Sequence, residues 1–245
     1  MSDAGRPILV LKAGSTLPEV RERHGDFERW FIDAIGPSPE RFAVVDVTQG
    51  GRLGAPAEYA AAIVTGSPSS MTAPEPWFDD AIAFLRRAVD ADLPTLGVCF
   101  GHQMLAVALG GRVEKNPNGR EIGTVQVELT DAGVADPLFA ELPRVVTVQA
   151  THSDAVTELP PGAVLLASNE RCPVQAFAVG RRVRTVQWHP EFSMRVIRGY
   201  IEGRKDVLEA EGFDPEALWI KATDADSGPR ILRNFDQHYV RAVGR

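Results

Sequence analysis

Short runs of apolar residues alternate with longer amphipathic stretches through the first half of the chain, and the two periods separate strands from helices. Pro7-Ile8-Leu9-Val10-Leu11 is apolar without alternation, as in a parallel strand buried on both faces. Leu17 to Ile35 places Phe27, Trp30, Phe31 and Ile35 at helical spacing, with a break expected near Gly25. Phe42 to Val47 reads as the next strand, and Gly50, Gly51 and Gly54 mark a loop. Ala61-Ala62-Ile63-Val64 is a third strand ending in the turn Thr65-Gly66-Ser67-Pro68. Phe78 to Val89 is amphipathic, Pro94 opens the strand Thr95-Leu96-Gly97-Val98, and a helix is expected from there through Leu109, closed by Gly110-Gly111.

This alternation predicts an α/β fold: an open, mostly parallel sheet flanked by helices, a three-layer sandwich of flavodoxin-like type, with ligands at the carboxyl ends of the strands. From Val113 to Val186 the runs shorten and turn β-rich, at Val125 to Leu129, Val145 to Val148, Ala163 to Ala167 and Val183 to Gln187, and predict a small antiparallel extension. Beyond Glu191 the pattern returns to helix, at Val196 to Glu211 and Ile231 to Val243, with Pro215, Gly228 and Pro229 read as interruptions. With no repeat and no Pro, Gly or Ser-rich linker, residues 1–245 are expected to form one domain, 194–245 being a helical carboxyl-terminal extension.

Composition narrows the function classes. A net charge of -7, from 33 acidic against 26 basic side chains with no long basic run, argues against nucleic-acid binding. No apolar stretch is long enough to span a bilayer, and the amino-terminal segment Met1 to Pro7 is unlike a secretory signal. Cys99 and Cys172 form no C-x-x-C pair, which fits a reducing, cytoplasmic setting, and no metal or cofactor is implied.

The chemistry concentrates in Gly97-Val98-Cys99-Phe100-Gly101-His102-Gln103. A cysteine between glycines at a strand-to-helix turn reads as a nucleophile elbow: the crowded turn needs glycine neighbours, and the helix amino terminus favours an anion on the sulfur. The Phe100 N–H, first of that helix, is placed to bind an oxyanion. The bland reading, a lone buried core cysteine, does not account for the glycine frame. A strand running into Trp188-His189-Pro190-Glu191 puts an imidazole and a carboxylate at another strand end, where Pro190 stiffens the turn so that Glu191 can orient His189. On spacing alone, a strand-capping histidine beside a solvated glutamate explains that segment equally well. His24 and His238 fall in expected helices, and His102 is read as holding a helix start; Cys172 is read as structural.

Together the Cys99 and His189 motifs resemble the class I (triad) glutamine amidotransferases, over about the first two hundred residues and in the same order, and are similar to stand-alone members related to the amidotransferase domain of GMP synthetase. The resemblance implies Cys99 as nucleophile, His189 as base and then acid, and Glu191 as orienter. It implies a second oxyanion donor at the Ser67 N–H, beside Gly66, where many relatives have Gly-Gly-Pro. A serine tolerates positive φ less well than glycine, so this loop is expected to rearrange on substrate binding. Gln103 and Thr151-His152-Ser153-Asp154 would hold the α-amino and α-carboxylate groups of glutamine, although His152, Ser153 and Asp154 read by themselves as a polar turn. Gly119-Arg120-Glu121-Ile122-Gly123 also resembles a stretch of these relatives, with no physical role assigned beyond a turn before a strand. The implied activity is hydrolysis of the glutamine side-chain amide through a cysteinyl thioester. A γ-glutamyl peptidase sharing that chemistry is one alternative, and a non-catalytic partner-binding subunit another. No Ser-Gly-Gly-x-Asp-Ser loop and no Walker motif is present, which leaves room for a separate synthetase or acceptor subunit.

Overall fold

The computed structural model describes residues 5–36 and 38–244. Met1 to Ala4, within the segment read as unlike a secretory signal, lie outside the described residues. Four strands stand parallel: β1 (Ile8–Lys12), β3 (Ala61–Val64) and β4 (Thr95–Val98), buried on both faces, and β2 (Phe42–Asp46), half-buried at the sheet edge. Between them run α1 (Pro18–His24), α2 (Phe27–Ile35) and α3 (Phe78–Asp90). The break expected near Gly25 is present. Asp26 starts α2 by accepting the Phe27 N–H at 2.9 Å, and its carboxylate also takes the Thr16 N–H and the Lys12 ammonium.

After α4 (Phe100–Ala108) come β5 (Arg112–Lys115), β6 (Glu121–Leu129), the short helix α5 (Asp131–Ala135), β7 (Val145–His152) and β8 (Asp154–Glu158). β9 (Val164–Ser168), β10 (Ala176–Val179) and β11 (Val183–Val186) follow. The main sheet has nine strands in the order β2-β1-β3-β4-β11-β10-β9-β6-β7, and β5 pairs with β8 in a small antiparallel sheet. β11 pairs parallel with β4, and β10, β9, β6 and β7 continue antiparallel, so the extension lengthens the same sheet. The antiparallel half also curls back: the Gln149 carbonyl on edge strand β7 accepts the His189 N–H at 2.8 Å, although three strands, β10, β9 and β6, lie between β7 and β11.

Strand alternation divides the core. Ile8 and Ile63 face one layer with Phe31, Ile35, Leu232 and Phe235. Leu9, Leu11 and Val64 face the other with Phe84, Leu85 and Leu105. The carboxyl-terminal segment forms α6 (Met194–Gly203), α7 (Lys205–Ala210), α8 (Pro215–Lys221) and α9 (Ser227–Phe235), continued by a π-turn over Asp236–Val240. The helix expected over Val196 to Glu211 is two helices, with Arg204 at the joint. Pro215, Gly228 and Pro229 begin helices rather than interrupt them, because a proline in the first turn gives up an N–H that has no intrahelical partner. A third cluster, with Val20, Phe27, Phe192, Ile197, Tyr200 and Ile201, packs α1 against α6 beside the carboxyl ends of the parallel strands.

Candidate active site

Four loops of the site leave the carboxyl ends of parallel strands, Ala13 to Thr16 after β1, Thr65 to Pro68 after β3, Cys99 after β4 and Trp188-His189 after β11. The turn between β7 and β8, strands paired antiparallel to β6 and β5, joins them. Because β3, β4 and β11 are neighbours, Ser67, Cys99 and His189 come together from three distant parts of the chain.

Cys99 sits between β4 and α4 at φ 51°, ψ -101°, one of three non-glycine residues at positive φ among those described. The glycines beside it answer to space rather than to dihedral angle. A Cβ on Gly101 would lie 2.4 Å from the Val64 carbonyl oxygen, and one on Gly97 2.6 Å from Leu105 Cδ1, so α4 can start flush against the sheet only with hydrogen at both positions. The Cys99 Sγ is buried, 3.9 Å from the Thr151 carbonyl oxygen. The Phe100 N–H is the first of α4 and has no carbonyl of its own helix to meet.

His189 makes hydrogen-bond contact with the Cys99 sulfur, and its Nδ1 meets Glu191 Oε1 at 2.7 Å. The ring stacks on Phe192 at 4.0 Å, and Phe27 lies parallel on its other side at 6.2 Å. Burial alone would push this imidazole down. The Glu191 carboxylate and the Cys99 sulfur overcome that and hold it up at about 10, so it carries a proton at neutral pH. Gly66 lies against the same ring: a Cβ there would fall 2.7 Å from His189 Cε1. Ser67 is not at positive φ; its hydroxyl donates to the Ala13 carbonyl at 2.6 Å and accepts the Ser69 N–H at 3.0 Å.

Two cavities meet at the sulfur. One of about 180 Å³ is walled by Phe100, Gln103, Thr151, Ser153 and Asp154 among others. The other, about 210 Å³, lies on the His189 side, walled by Thr16, Leu17, Pro18, Phe27 and Tyr200. Ser67 borders both. Gln103 donates to the Asp154 carbonyl at 2.9 Å and to Gln187 Oε1 at 3.1 Å. The Asp154 carboxylate pairs with Lys115 at 2.6 Å and accepts a short hydrogen bond from Ser70. The ring nitrogens of His152 meet the Asp154 carbonyl at 2.9 Å and the Glu121 carboxylate at 3.0 Å. Cys99, Phe100, Ser67, Gly66, Gln103, His152, Ser153, Asp154, His189 and Glu191 therefore lie around one locus. A larger cavity of about 520 Å³, between α1, α6 and Trp219, lies apart from it.

Sequence reasoning missed Glu121. It is buried at 3% exposure and gathers His152, Asn169 and Gln175 around one carboxylate. Burial would raise its pKa, and those hydrogen bonds bring it below the usual carboxylate range. The signal was present in Gly119-Arg120-Glu121-Ile122-Gly123, a stretch noticed without a role. Phe27 and Phe192, which clamp the imidazole, and Arg204, which borders both cavities, carried no motif. His102 faces away from the chemistry: its Nδ1 meets Thr185 Oγ1 at 2.8 Å, and burial pushes it down to about 3, with nearby His152 adding to the effect. Cys172 is buried and free, its thiol pushed up to about 12 chiefly by burial. Among the described residues no group of acidic, histidine or cysteine side chains is arranged to hold a metal ion, and no helix is long and apolar enough to cross a membrane.

Comparison with known proteins places this geometry. A family profile described as glutamine amidotransferase class-I matches residues 39–202. A glutamine amidotransferase-like protein of Schizosaccharomyces pombe is 35% identical over 170 residues, covering 68% of this chain and 67% of that protein. The glutamine-hydrolyzing GMP synthase of Salmonella typhimurium is 34% identical over 70% of this chain, which spans only 32% of that longer protein. Among solved structures, a glutamine amidotransferase from Thermotoga maritima superposes with a TM-score of 0.78 at 25% identity, over 96% of this chain and 98% of that one. The chain belongs to the class I glutamine amidotransferase family.

Proposed function

We propose that the protein hydrolyses the γ-carboxamide of a glutamyl group, glutamine being the simplest such substrate, through a γ-glutamyl thioester on Cys99. The observation that carries this reading is the strained cysteine in contact with a protonated imidazole whose far nitrogen is held by Glu191. The Cys99 thiolate attacks the amide carbon, and the backbone N–H groups of Ser67 and Phe100 receive the charge that develops on oxygen. The imidazolium of His189 already carries the proton the departing nitrogen needs. As the C–N bond breaks, that proton moves to nitrogen and ammonia leaves. The now neutral His189 takes a proton from water, hydroxide adds to the thioester, the C–S bond breaks, and glutamate departs with thiolate and imidazolium restored. Glu191 holds the ring throughout. Gly66, Gln103, His152, Ser153 and Asp154 shape the pocket that receives the glutamyl group. Because Asp154 is paired with Lys115, its carboxylate reaches a substrate ammonium only by sharing or releasing that partner.

Release of glutamate from glutamine by purified protein, and a mass increase on Cys99 after exposure to diazo-oxo-norleucine, are both expected, and both are expected to vanish in Cys99→Ala. Neither glutamate nor adduct from the unmodified protein defeats the proposal in favour of a partner-binding subunit. The similarity to glutamine-hydrolyzing GMP synthases, of which this chain spans a third, supports delivery of ammonia to a separate synthetase or acceptor chain. A second reading, cleavage of γ-glutamyl peptides or conjugates, is favoured by the cavity on the His189 side, since about 210 Å³ far exceeds the ~30 Å³ share of a water-sized leaving group.

A further inference from the structure

Arg204 is a cation with no carboxylate paired to it among the described residues, at the mouth of the site. It stands at the joint of α6 and α7 and borders both cavities that meet at Cys99. Its Nε is buried without a hydrogen-bond partner, and among the described residues no carboxylate lies within ion-pair distance of its guanidinium. The Cys99 sulfur and, after it, Glu211 act on it from a distance, and Glu211 is committed to Arg120 through two hydrogen bonds of 2.7 and 2.9 Å. Tyr200 supports the guanidinium from one side, 5.7 Å from ring centroid to Cζ. A partly buried planar cation with unspent donors loses hydration and recovers it only when a planar anion takes those donors.

The cavity beside His189 indicates which anion. In the mechanism proposed above, Phe100 and Gln103 face the glutamyl side and His189 faces the departing nitrogen, so whatever that nitrogen carries enters the 210 Å³ space. Leu17, Pro18 and Phe27 give this space an apolar wall, and among the described residues no acidic side chain lines it. Apart from the reacting pair Cys99 and His189, Arg204 is the one charged residue lining it among those described. Ammonia has neither atoms to fill such a space nor a charge for Arg204 to meet.

We propose that Arg204 binds a carboxylate carried by the departing amine, so that the preferred substrates are γ-glutamyl amides of an amino acid or short peptide. The proposal rests on the thioester chemistry above and adds the identity of the leaving group: the S–C bond forms and the C–N bond breaks as before, and an amino acid leaves in place of ammonia.

The test compares kcat/KM of the full chain for γ-glutamyl-glycine, γ-glutamyl-glycinamide and glutamine. Glycine and glycinamide have nearly the same size, and only glycine bears the carboxylate. The unmodified protein should favour γ-glutamyl-glycine over the glycinamide by about tenfold or more, the usual worth of a charge-assisted contact. Arg204→Met should bring that ratio to about one, and Arg204→Lys, which keeps the charge and loses the fork, should fall between. A ratio near one in the unmodified protein overturns the proposal. So does an Arg204→Met variant that loses both peptide substrates equally and keeps the ratio, which would assign Arg204 to the glutamyl α-carboxylate or to folding. Turnover of glutamine alone leaves the hydrolase reading standing and this proposal refuted. No turnover of any of the three, with no adduct on Cys99, removes the hydrolase reading and this proposal together.

Discussion

Cys99 holds a φ of 51° that costs an L-residue about 1–3 kcal/mol, and its surroundings enforce it. The glycine frame and the crowding behind it were legible in the sequence, but the atoms that crowd were not: Gly97 meets Leu105 and Gly101 meets the Val64 carbonyl where α4 approaches the sheet, while the strained angle falls on the cysteine itself. This distinction predicts two different failures. In Gly101→Ala the new methyl meets the Val64 carbonyl, which cannot yield, so a loss of about 3 kcal/mol and a Tm lower by roughly 6–12 °C are expected. In Gly66→Ala the methyl meets the edge of the His189 ring and of Phe27, side chains that can give by tilting within their stack where the Val64 backbone cannot. Stability should change little while kcat falls by about 10²-fold, as expected when a reacting group is displaced by an ångström. Thermal melts and steady-state kinetics on both variants separate the two. The His189-Glu191 pair has a pH signature of its own. A histidine raised from 6.5 to about 10 in the fold contributes stability that is complete below pH 6.5 and is lost as pH climbs toward 10. The Tm gap between the unmodified protein and Glu191→Gln should therefore be widest near pH 6 and narrow toward pH 10; a gap independent of pH would contradict a charged imidazole.

Elements show where the periodic pattern carried its information and where it ran out. β1, β3 and β4 were readable because both faces of each are buried, giving uninterrupted apolar runs. β5, β8 and β10 were not. Arg112–Lys115 is mostly exposed and polar, and Asp154–Glu158 and Ala176–Val179 are too short for alternation to stand out. The Glu121 hub belongs to this scale, since it ties the start of β6 to the end of β7 and to the loop between β9 and β10. Glu121→Ala strands the buried donors of His152 and Gln175, while Asn169 keeps the Gln126 carbonyl, and should cost about 3–5 kcal/mol, read as a lower Tm at pH 7. Because this carboxyl titrates below its ordinary 4.5, its contribution is present above that pH and lost as pH falls through the lowered value. The Tm difference from the unmodified protein should thus hold steady above about pH 4.5 and shrink below it.

At the scale of the whole molecule, the carboxyl-terminal helices are part of the core. Val196, Ile197, Tyr200, Ile201, Leu208, Ile231, Leu232 and Phe235 are buried, and Tyr239 reaches Asp136 at 2.7 Å beside Arg184. At about 1.5–3 kcal/mol for each large apolar side chain, their removal is as large as or larger than the ~5–15 kcal/mol by which a domain is usually stable. A chain ending at Ser193 should accumulate in the insoluble fraction, and its recovery as a soluble monomer with a cooperative melt would contradict this packing. Read alone, this segment showed helices without a destination, because an amphipathic stripe states that one side is covered and not by what.

The sequence by itself determined the local choices: which runs become strands, that a cysteine stands at a strand-to-helix turn, and that a histidine and a glutamate share a stiff turn two residues apart. These depend on neighbours along the chain, where residue type and spacing suffice. Tertiary structure alone decided that β11 lies beside β4, so that residues ninety positions apart touch. It also decided that the sheet curls to bring Thr151 against the sulfur, and that Arg204 arrives at the cavity without an acid of its own. Such contacts follow from strand order and from how layers pack, which no window of sequence contains, because their energy comes from surfaces that meet only once the whole chain has folded.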